Sequence, residues 1–497
     1  MLLFEIPYLV LLVLISIYGA QRAILVFELA IRTRLGRHRS SAAPDNSEPL
    51  NPTDFDQTAP AQILIQLPVY NDGAVFPRLL QSVAEIEGPR DRFEIQVLDD
   101  SDDGSSQTIS SGVEELRSRG FAIEHIQRVD RTGFKAGALA AGLLRSDAPF
   151  VALFDSDFRI PSDFFRQLIP EFRGERVAFV QARWGFANAD ENFLTRIQSL
   201  MLDAHFSIEH RVRSLGGRFF NFNGTAGIWR RKAIDDAGGW RSDSITEDLD
   251  LSLRAWLAGW EFRYRDDVVA ESDLPTGMRA YRTQQNRWIS GSIQVATTNL
   301  TKILSLSGSY GRGLDLLLGV TGNLCYPLIV LLAFLLPHAI AIRLAERDRL
   351  LLYADVPFFL FATGSVALFY WCARRDRSAW ATLVQIPALM ALGLGMTLHN
   401  SRAVFRGVTG GATVFERTPK GGSVPDSRGR ENDVISGDVQ TRLKLPKRRF
   451  EVLPWLECAM FAYLCSIGLY RAEVALFSLP LVGLLTVGYG VVVFHRR

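Results

Sequence analysis

Two stretches decide the fold: Ile95–Ser105, IQVLDDSDDGS, and Phe150–Phe158, FVALFDSDF. Each is a short apolar run that ends in carboxylates. Such runs, closed by turn-forming Asp, Ser and Gly, read as buried strands. Ile63–Val69 is a third, and helical stretches such as Phe76–Glu85 and Thr108–Arg119 alternate with them. Alternating strands and helices predict a doubly wound α/β domain, whose ligands bind beyond the carboxyl ends of the strands. Asp99, Asp100, Asp102 and Asp103 fall at one such end, Asp155 and Asp157 at another.

Outside this region the chain changes character. Its 497 residues exceed one ordinary domain, 48% of them are hydrophobic, and the apolar residues gather in long runs near the two ends. A formal net charge of +2 gives no basic excess of the kind nucleic acid requires, and that partner class is set aside. The four cysteines, Cys325, Cys372, Cys458 and Cys465, lie in or beside apolar segments without a CxxC pair. Neither a zinc site nor a disulfide framework is suggested.

The first apolar run, Ile6–Ala20, is followed by Arg22, Arg32, Arg34, Arg37 and Arg39. Basic flanks stay inside, so this run reads as a membrane helix that delivers the central domain to the cytoplasm. Leu316–Ile342, Val356–Ala373, Val452–Leu469 and Val474–Phe494 are each about long enough to span. Trp380–Leu398 is weakened by Gln385, Gly393 and Gly395 and is read as lying in the membrane plane. Five spans then keep Arg374, Arg375, Arg377 and the cluster Arg442–Arg449 inside, against Arg343, Arg347 and Arg349, which fall outside. The expected organisation is a membrane helix and basic flank at 1–40, a linker at 41–60 and the α/β domain at 61–300. Membrane and interfacial helices follow at 301–399, a cytoplasmic loop at 400–450 and a helix pair at 451–497.

Asp155 and Asp157 stand two apart at a strand end, so extended backbone points both carboxylates to one side. Oxygen ligands in that arrangement suit Mg²⁺ or Mn²⁺ bridging a diphosphate. A lone D-x-D more often marks a solvated turn, and its neighbours decide the matter. Asp99 and Asp100 are placed to read a base or ribose, whereas Asp102 and Asp103 read better as turn caps. In RTGFKAGALAAG, Gly133 and Gly137 allow close backbone approach and Lys135 supplies a cation for phosphate; taken alone it is a surface lysine. SITEDLDLSLRAWLAGW starts an amphipathic helix at Thr246, with Asp248 either a capping acid or a general base supported by Glu247. YRTQQNRWISGS places Gln284, Arg287 and Trp288 on one helix face, as an interfacial anchor or as a sugar and diphosphate platform.

These motifs occur together and in order. QVLDDSDD, GFKAGAL, FDSDF, VQARWGFANADENFLTRIQ, FNGTAGIWRRKAIDDAGGW, TEDLDLSLRAWLAGW and QQNRW, spread from about Ile63 to Ser292, resemble processive family 2 glycosyltransferases, the cellulose synthase superfamily. The likeness is closest to the plant cellulose synthase-like A mannan and glucomannan synthases. It implies a cytoplasmic GT-A (Rossmann-like) domain inserted between transmembrane α-helices. Asp99 and Asp100 would then hold the nucleoside, Asp155 and Asp157 the metal diphosphate, and Asp248 would act as base. Gln284, Arg287 and Trp288 would bind the pyrophosphate and acceptor end, and Asn223, Gly224 and Thr225 would line the acceptor cleft. VFERTPK is similar to the gating loop of cellulose synthases, which implies gating by Phe415, Thr418 and Lys420, with Arg417 a departure from the usual apolar residue.

The expected reaction is inverting hexosyl transfer from GDP-mannose or UDP-glucose to a growing β-1,4-linked polysaccharide, coupled to export. A non-processive enzyme that glycosylates a membrane lipid and an inactive sugar-binding scaffold are the competing readings. The membrane is a cell inner or plasma membrane, or the Golgi in a eukaryote. With fewer spans than bacterial cellulose synthase, a homo-oligomer or a partner is an option for completing a channel.

Overall fold

The computed structural model describes residues 2–34, 62–305, 310–345, 355, 357–373, 378–410, 452–470 and 472–494. Its centre is one seven-stranded sheet in the order β3-β2-β1-β4-β6-β5-β7. The strands are β1 Ile63–Val69, β2 Phe93–Asp99, β3 Ile123–Gln127, β4 Phe150–Leu153, β5 Val177–Phe186, β6 Gly227–Arg230 and β7 Glu261–Ser272. β1 pairs parallel with β2 and β4, and β2 with β3, whereas β6 runs antiparallel to both β4 and β5. The sheet is therefore mixed. Its three expected strands stand within two residues of where the apolar runs put them.

Both faces of β1 and β2 are buried, which is why they read as continuous apolar runs rather than alternating ones. Ile95 and Val97 pack on one side with Ile109 and Val113, and Leu98 on the other with Ala138 and Leu139. The register of β1 with β4 ends at Gln66 against Leu153, although β1 continues to Val69. Pro68, which has no N–H to give, falls in the part that β4 leaves bare. The two central strands separate there, and the crevice of the sheet opens.

The helices that bear on the site are α1 Leu2–Arg34, α2 Phe134–Leu143, α3 Phe193–Ala204, α4 Glu247–Leu257 and α5 Met278–Thr298. Beyond them come α6 Cys325–Ala345, α7 Ala379–Gly395, α8 Thr397–Thr409, α9 Val452–Tyr470 and α10 Ala472–Phe494. Among the described residues, Glu5–Arg34 and Gly313–Ala345 are long and apolar enough to cross a membrane; Pro357–Ala373, Val452–Ile467 and Val482–Phe494 are shorter apolar stretches. The first helix runs well past Ala20, because the charges on its second half are matched: Arg22 meets Glu209 at 2.9 Å, and Glu28 meets Arg32 at 2.8 Å and Arg218 at 2.6 Å.

The helix expected in the membrane plane is two helices, α7 and α8, bent by 52°. α7 sets Ile386, Leu389 and Leu392 against Ile197 and Leu200 of α3 and Met278 and Tyr281 of α5, and leaves Trp380, Leu383 and Val384 exposed. It crosses α10 at Gly395 and Gly488, where backbones meet without side chains between them. A Cβ on Gly488 would lie 1.9 Å from the Ala391 carbonyl oxygen. Gly488→Leu is expected to lower the melting temperature of the detergent-extracted protein by an overpacking cost of about 1–3 kcal/mol or more, followed by size-exclusion thermal scans.

Arg343, a basic residue on the side expected to be poor in them, is only 1% exposed. Its guanidinium grips Glu5 of α1 at 2.8 Å and Asp355 at 2.6 Å, and the Tyr8 hydroxyl donates to the same Asp355 oxygen at 2.7 Å. A cation neutralised by one buried and one half-buried carboxylate is no marker of sidedness, so this exception to the charge rule has a local cause. Arg347, Arg349, the linker 41–60 and the gating residues Phe415, Thr418 and Lys420 lie outside the described residues.

Candidate active site

A cleft of about 1440 Å³, its open mouth included, lies at the carboxyl ends of β1 and β4. Of the residues singled out from the sequence, it brings together Asp100, Lys135, Asp155, Asp157, Asn223, Gly224, Glu247, Asp248, Gln284, Arg287 and Trp288. Segments as far apart in sequence as Asp100 and Trp288 thus converge on one crevice.

Asp99 and Thr225 are the exceptions. Asp99 is 2% exposed and spends its carboxylate on the Ser101 N–H at 2.9 Å and on the His125 imidazole at 2.9 Å. Burial alone would raise its carboxyl, but the bonds from His125 and the serines hold it well below the ordinary range. Strand parity separates the two acids: Asp99 follows Ile95 and Val97 to one face, and Asp100 turns to the other. Asp100 lines the cleft, with its carboxylate clamped by the Arg128 guanidinium, whose Nε donates at 2.8 Å. Thr225 is fully buried and lines nothing; its hydroxyl accepts the Asp155 N–H at 2.9 Å and so orients the strand end. Asp102 and Asp103 behave as turn acids, taking N–H bonds from the Asn71 amide at 2.8 Å and the Ser105 backbone at 2.9 Å.

Lys135 projects from the first turn of α2. Its ammonium donates to Asp155 Oδ1 at 2.6 Å and to the Gly224 carbonyl at 2.8 Å, with Glu247 Oε1 at 3.8 Å. Burial would lower its pKa, and the charges of Asp155 and Glu247 overcome this and raise it. Gly224 adopts φ +78°, and a Cβ there would sit 3.1 Å from Asp248 Oδ2. Only glycine suits both the backbone and the gap.

Asp248 lies in the first turn of α4. Thr246 occupies the cap position, but its hydroxyl meets Ser244 at 3.2 Å and gives the helix no side-chain cap. Asp248 Oδ1 accepts the Leu249 N–H at 2.9 Å, and Oδ2 faces Gly224. Burial pushes its carboxyl up to about 7, helped by the neighbouring charge of Glu247 and opposed by Lys135. A carboxylate that titrates near neutrality is poised to exchange a proton.

Asp157 accepts from the Ser272 hydroxyl at 3.1 Å, and Asp155 from Lys135. Among the described residues no three His, Cys, Asp or Glu side chains converge to hold a metal unaided. Two carboxylates at one strand end are nonetheless the donor set that Mg²⁺ or Mn²⁺ uses when phosphate oxygens and water complete its shell. The ammonium on Asp155 Oδ1 already stands where positive charge is favoured.

Sequence reasoning missed part of the cleft. Asp72 lines it and accepts the Ser156 hydroxyl at 2.6 Å; Tyr70 lines it beneath Arg131, whose guanidinium carbon lies 3.2 Å from the ring centre. Both belong to PVYND, the carboxyl end of β1, so the rule that picked out β2 and β4 would have found them too. Trp184 on β5 also lines the cleft.

Residues 150–345 match the sequence profile of glycosyl transferase family group 2. A glucomannan 4-beta-mannosyltransferase of Arabidopsis thaliana is 44% identical over 234 residues, which are 46% of this chain and 44% of that protein's length. The chain thus aligns with less than half of that relative. A mannosyltransferase from Pyrobaculum calidifontis, solved with GDP-Man and Mn²⁺, superimposes with a TM-score of 0.50 at 18% identity, covering 81% of this chain and 100% of that one. This likeness is one of fold.

Proposed function

We propose, from the match of residues 150–345 to glycosyl transferase family group 2, that the protein transfers a hexose, by inversion, from a nucleotide sugar to a β-1,4-linked glycan at a membrane surface. The mannosyl activity in the relative's name favours mannose, carried as GDP-mannose, over glucose. The observation that carries the reading is the half-buried Asp248, its carboxyl pushed up to about 7, in one cleft with Lys135, Asp155 and Asp157.

In this mechanism the acceptor hydroxyl lies against Asp248 Oδ2, which takes its proton as the oxygen bonds to the anomeric carbon. The bond from that carbon to the nucleoside diphosphate breaks on the opposite face, so an α-linked donor gives a β-linked product. Lys135 and Arg287 place positive charge beside the diphosphate, and Asp100 orients the nucleoside. Trp288 offers its indole as a platform for the acceptor sugar, beside Gln284. Asp155 and Asp157 would hold Mg²⁺ or Mn²⁺, which when bound neutralises charge on the departing diphosphate. The domain faces the cytoplasm in this reading, with the charge-matched α1 as its tether.

The test is transfer from radiolabelled GDP-mannose and UDP-glucose by membranes holding the protein. The expected product is insoluble and cut by a β-1,4-mannanase, lost with EDTA and restored by Mg²⁺ or Mn²⁺. A single sugar on a solvent-extractable lipid would move the assignment to lipid glycosylation. Transfer from neither donor would remove it.

A further inference from the structure

The helix that begins as α3 does not stay α-helical. At His205–His210 it opens into a π-helical turn before Arg211–Leu215 resumes the α form. Such insertions weaken a helix and recur where a side chain has to be aimed. Here the turn brings His205 and His210 together, ring centres 4.2 Å apart, beneath the cleft residue Asn223.

The hydrogen bonds assign the rings. His210 Nε2 lies 2.9 Å from Asn223 Oδ1 and 3.1 Å from the Asn221 carbonyl. Both partners accept, so Nε2 carries the proton. Burial holds the His210 pKa well below the ordinary value and keeps the ring neutral. His205 Nδ1 lies 3.1 Å from Glu209 Oε2, a carboxylate, so Nδ1 carries the proton there. Its Nε2 is then an acceptor, 3.4 Å from Asn223 Nδ2. One histidine donates to the oxygen of the Asn223 amide, which also accepts from Asn221 Nδ2 at 3.1 Å, and the other accepts from its nitrogen. The amide is held in one orientation, and a flip would break both contacts.

We propose that His205 and His210 are positioning residues that fix the Asn223 amide so that it receives a hydroxyl of the acceptor glycan beside Asp248. The inference rests on the functional reading above and adds to it residues that touch neither substrate nor base. It also ties the cleft to the membrane helix: Glu209, which holds His205, takes Arg22 of α1 at 2.9 Å and Arg213 at 2.9 Å.

The test is a binding titration by tryptophan fluorescence, since Trp184 and Trp288 line the cleft, with mannohexaose and GDP as separate probes. His210→Phe should weaken mannohexaose by about tenfold, the scale of one hydrogen bond, and GDP by no more than about twofold. His210→Gln, which keeps a side-chain N–H, should recover most of the loss. Adding His210→Phe to Asn223→Ala should change mannohexaose affinity little further, because the histidine acts through that amide. Equal loss of both probes, additive losses, no effect of His210→Phe, or a wild-type protein that does not bind mannohexaose would each overturn the proposal. A wild-type protein that binds mannohexaose yet transfers no sugar from either donor would instead sink the functional reading alone.

Discussion

Asp248→Asn is expected to lower kcat by about 10²- to 10⁴-fold, the range of a general base, while GDP binding stays within a few fold. The loss belongs to proton removal, because Asn keeps the size of the side chain. In the wild type, Asp248 is pushed from 3.8 to about 7, by burial first and Glu247 second. The base is the ionised form, so activity should climb as pH rises through about 7 and level off above it. Glu247→Gln removes a negative neighbour and should move that midpoint down. The same shift sets the sign of the stability effect. A carboxyl whose folded pKa is raised contributes most below 3.8 and progressively less as pH rises through about 7. Asp248→Asn should therefore melt no lower than wild type at pH 8, which separates lost chemistry from lost fold. A variant that retains transfer while folded would end the assignment of Asp248 as base.

Arg343→Gln is expected to leave almost no folded protein in membranes. It strips the cation from Glu5 and Asp355 where all three are sheltered, and removing one member of a buried ion pair costs about 3–5 kcal/mol. Replacing all three together, by Arg343→Gln, Glu5→Gln and Asp355→Asn, leaves no orphan charge and should restore much of the yield. Size-exclusion profiles of the detergent extract distinguish these outcomes. If the single variant is as abundant and monodisperse as wild type, the cluster is not what seats α1.

Much of the cleft was legible because its signals are local. Apolar runs closed by acids place β1, β2 and β4 and put Asp155 and Asp157 at a strand end, and the spacing of Gln284, Arg287 and Trp288 puts them on one face of α5. What was not legible depends on pairing across the chain. Nothing near Asp99 says that His125 will take its carboxylate, because β3 brings it there from 26 residues away. Thr225 looks like its neighbours Asn223 and Gly224 until β4 covers it. α1 outruns its apolar stretch for a similar reason: hydropathy falls after Ala20, but Glu209 and Arg218, far along the chain, pair with Arg22 and Glu28 beyond it.

The pairing of Glu5 with Arg343 also sets an order of events during synthesis. The acid emerges from the ribosome 338 residues before its cation, an interval of roughly 20–70 s at ordinary elongation rates. Throughout that time the first helix carries Glu5 without its Arg343 partner, while the entire α/β domain is made and free to fold beside it. The helix reaches its final seat only after α6 arrives. Nascent chains that stop between the two elements would leave a finished α/β domain beside a first helix whose Glu5 lacks its Arg343 partner.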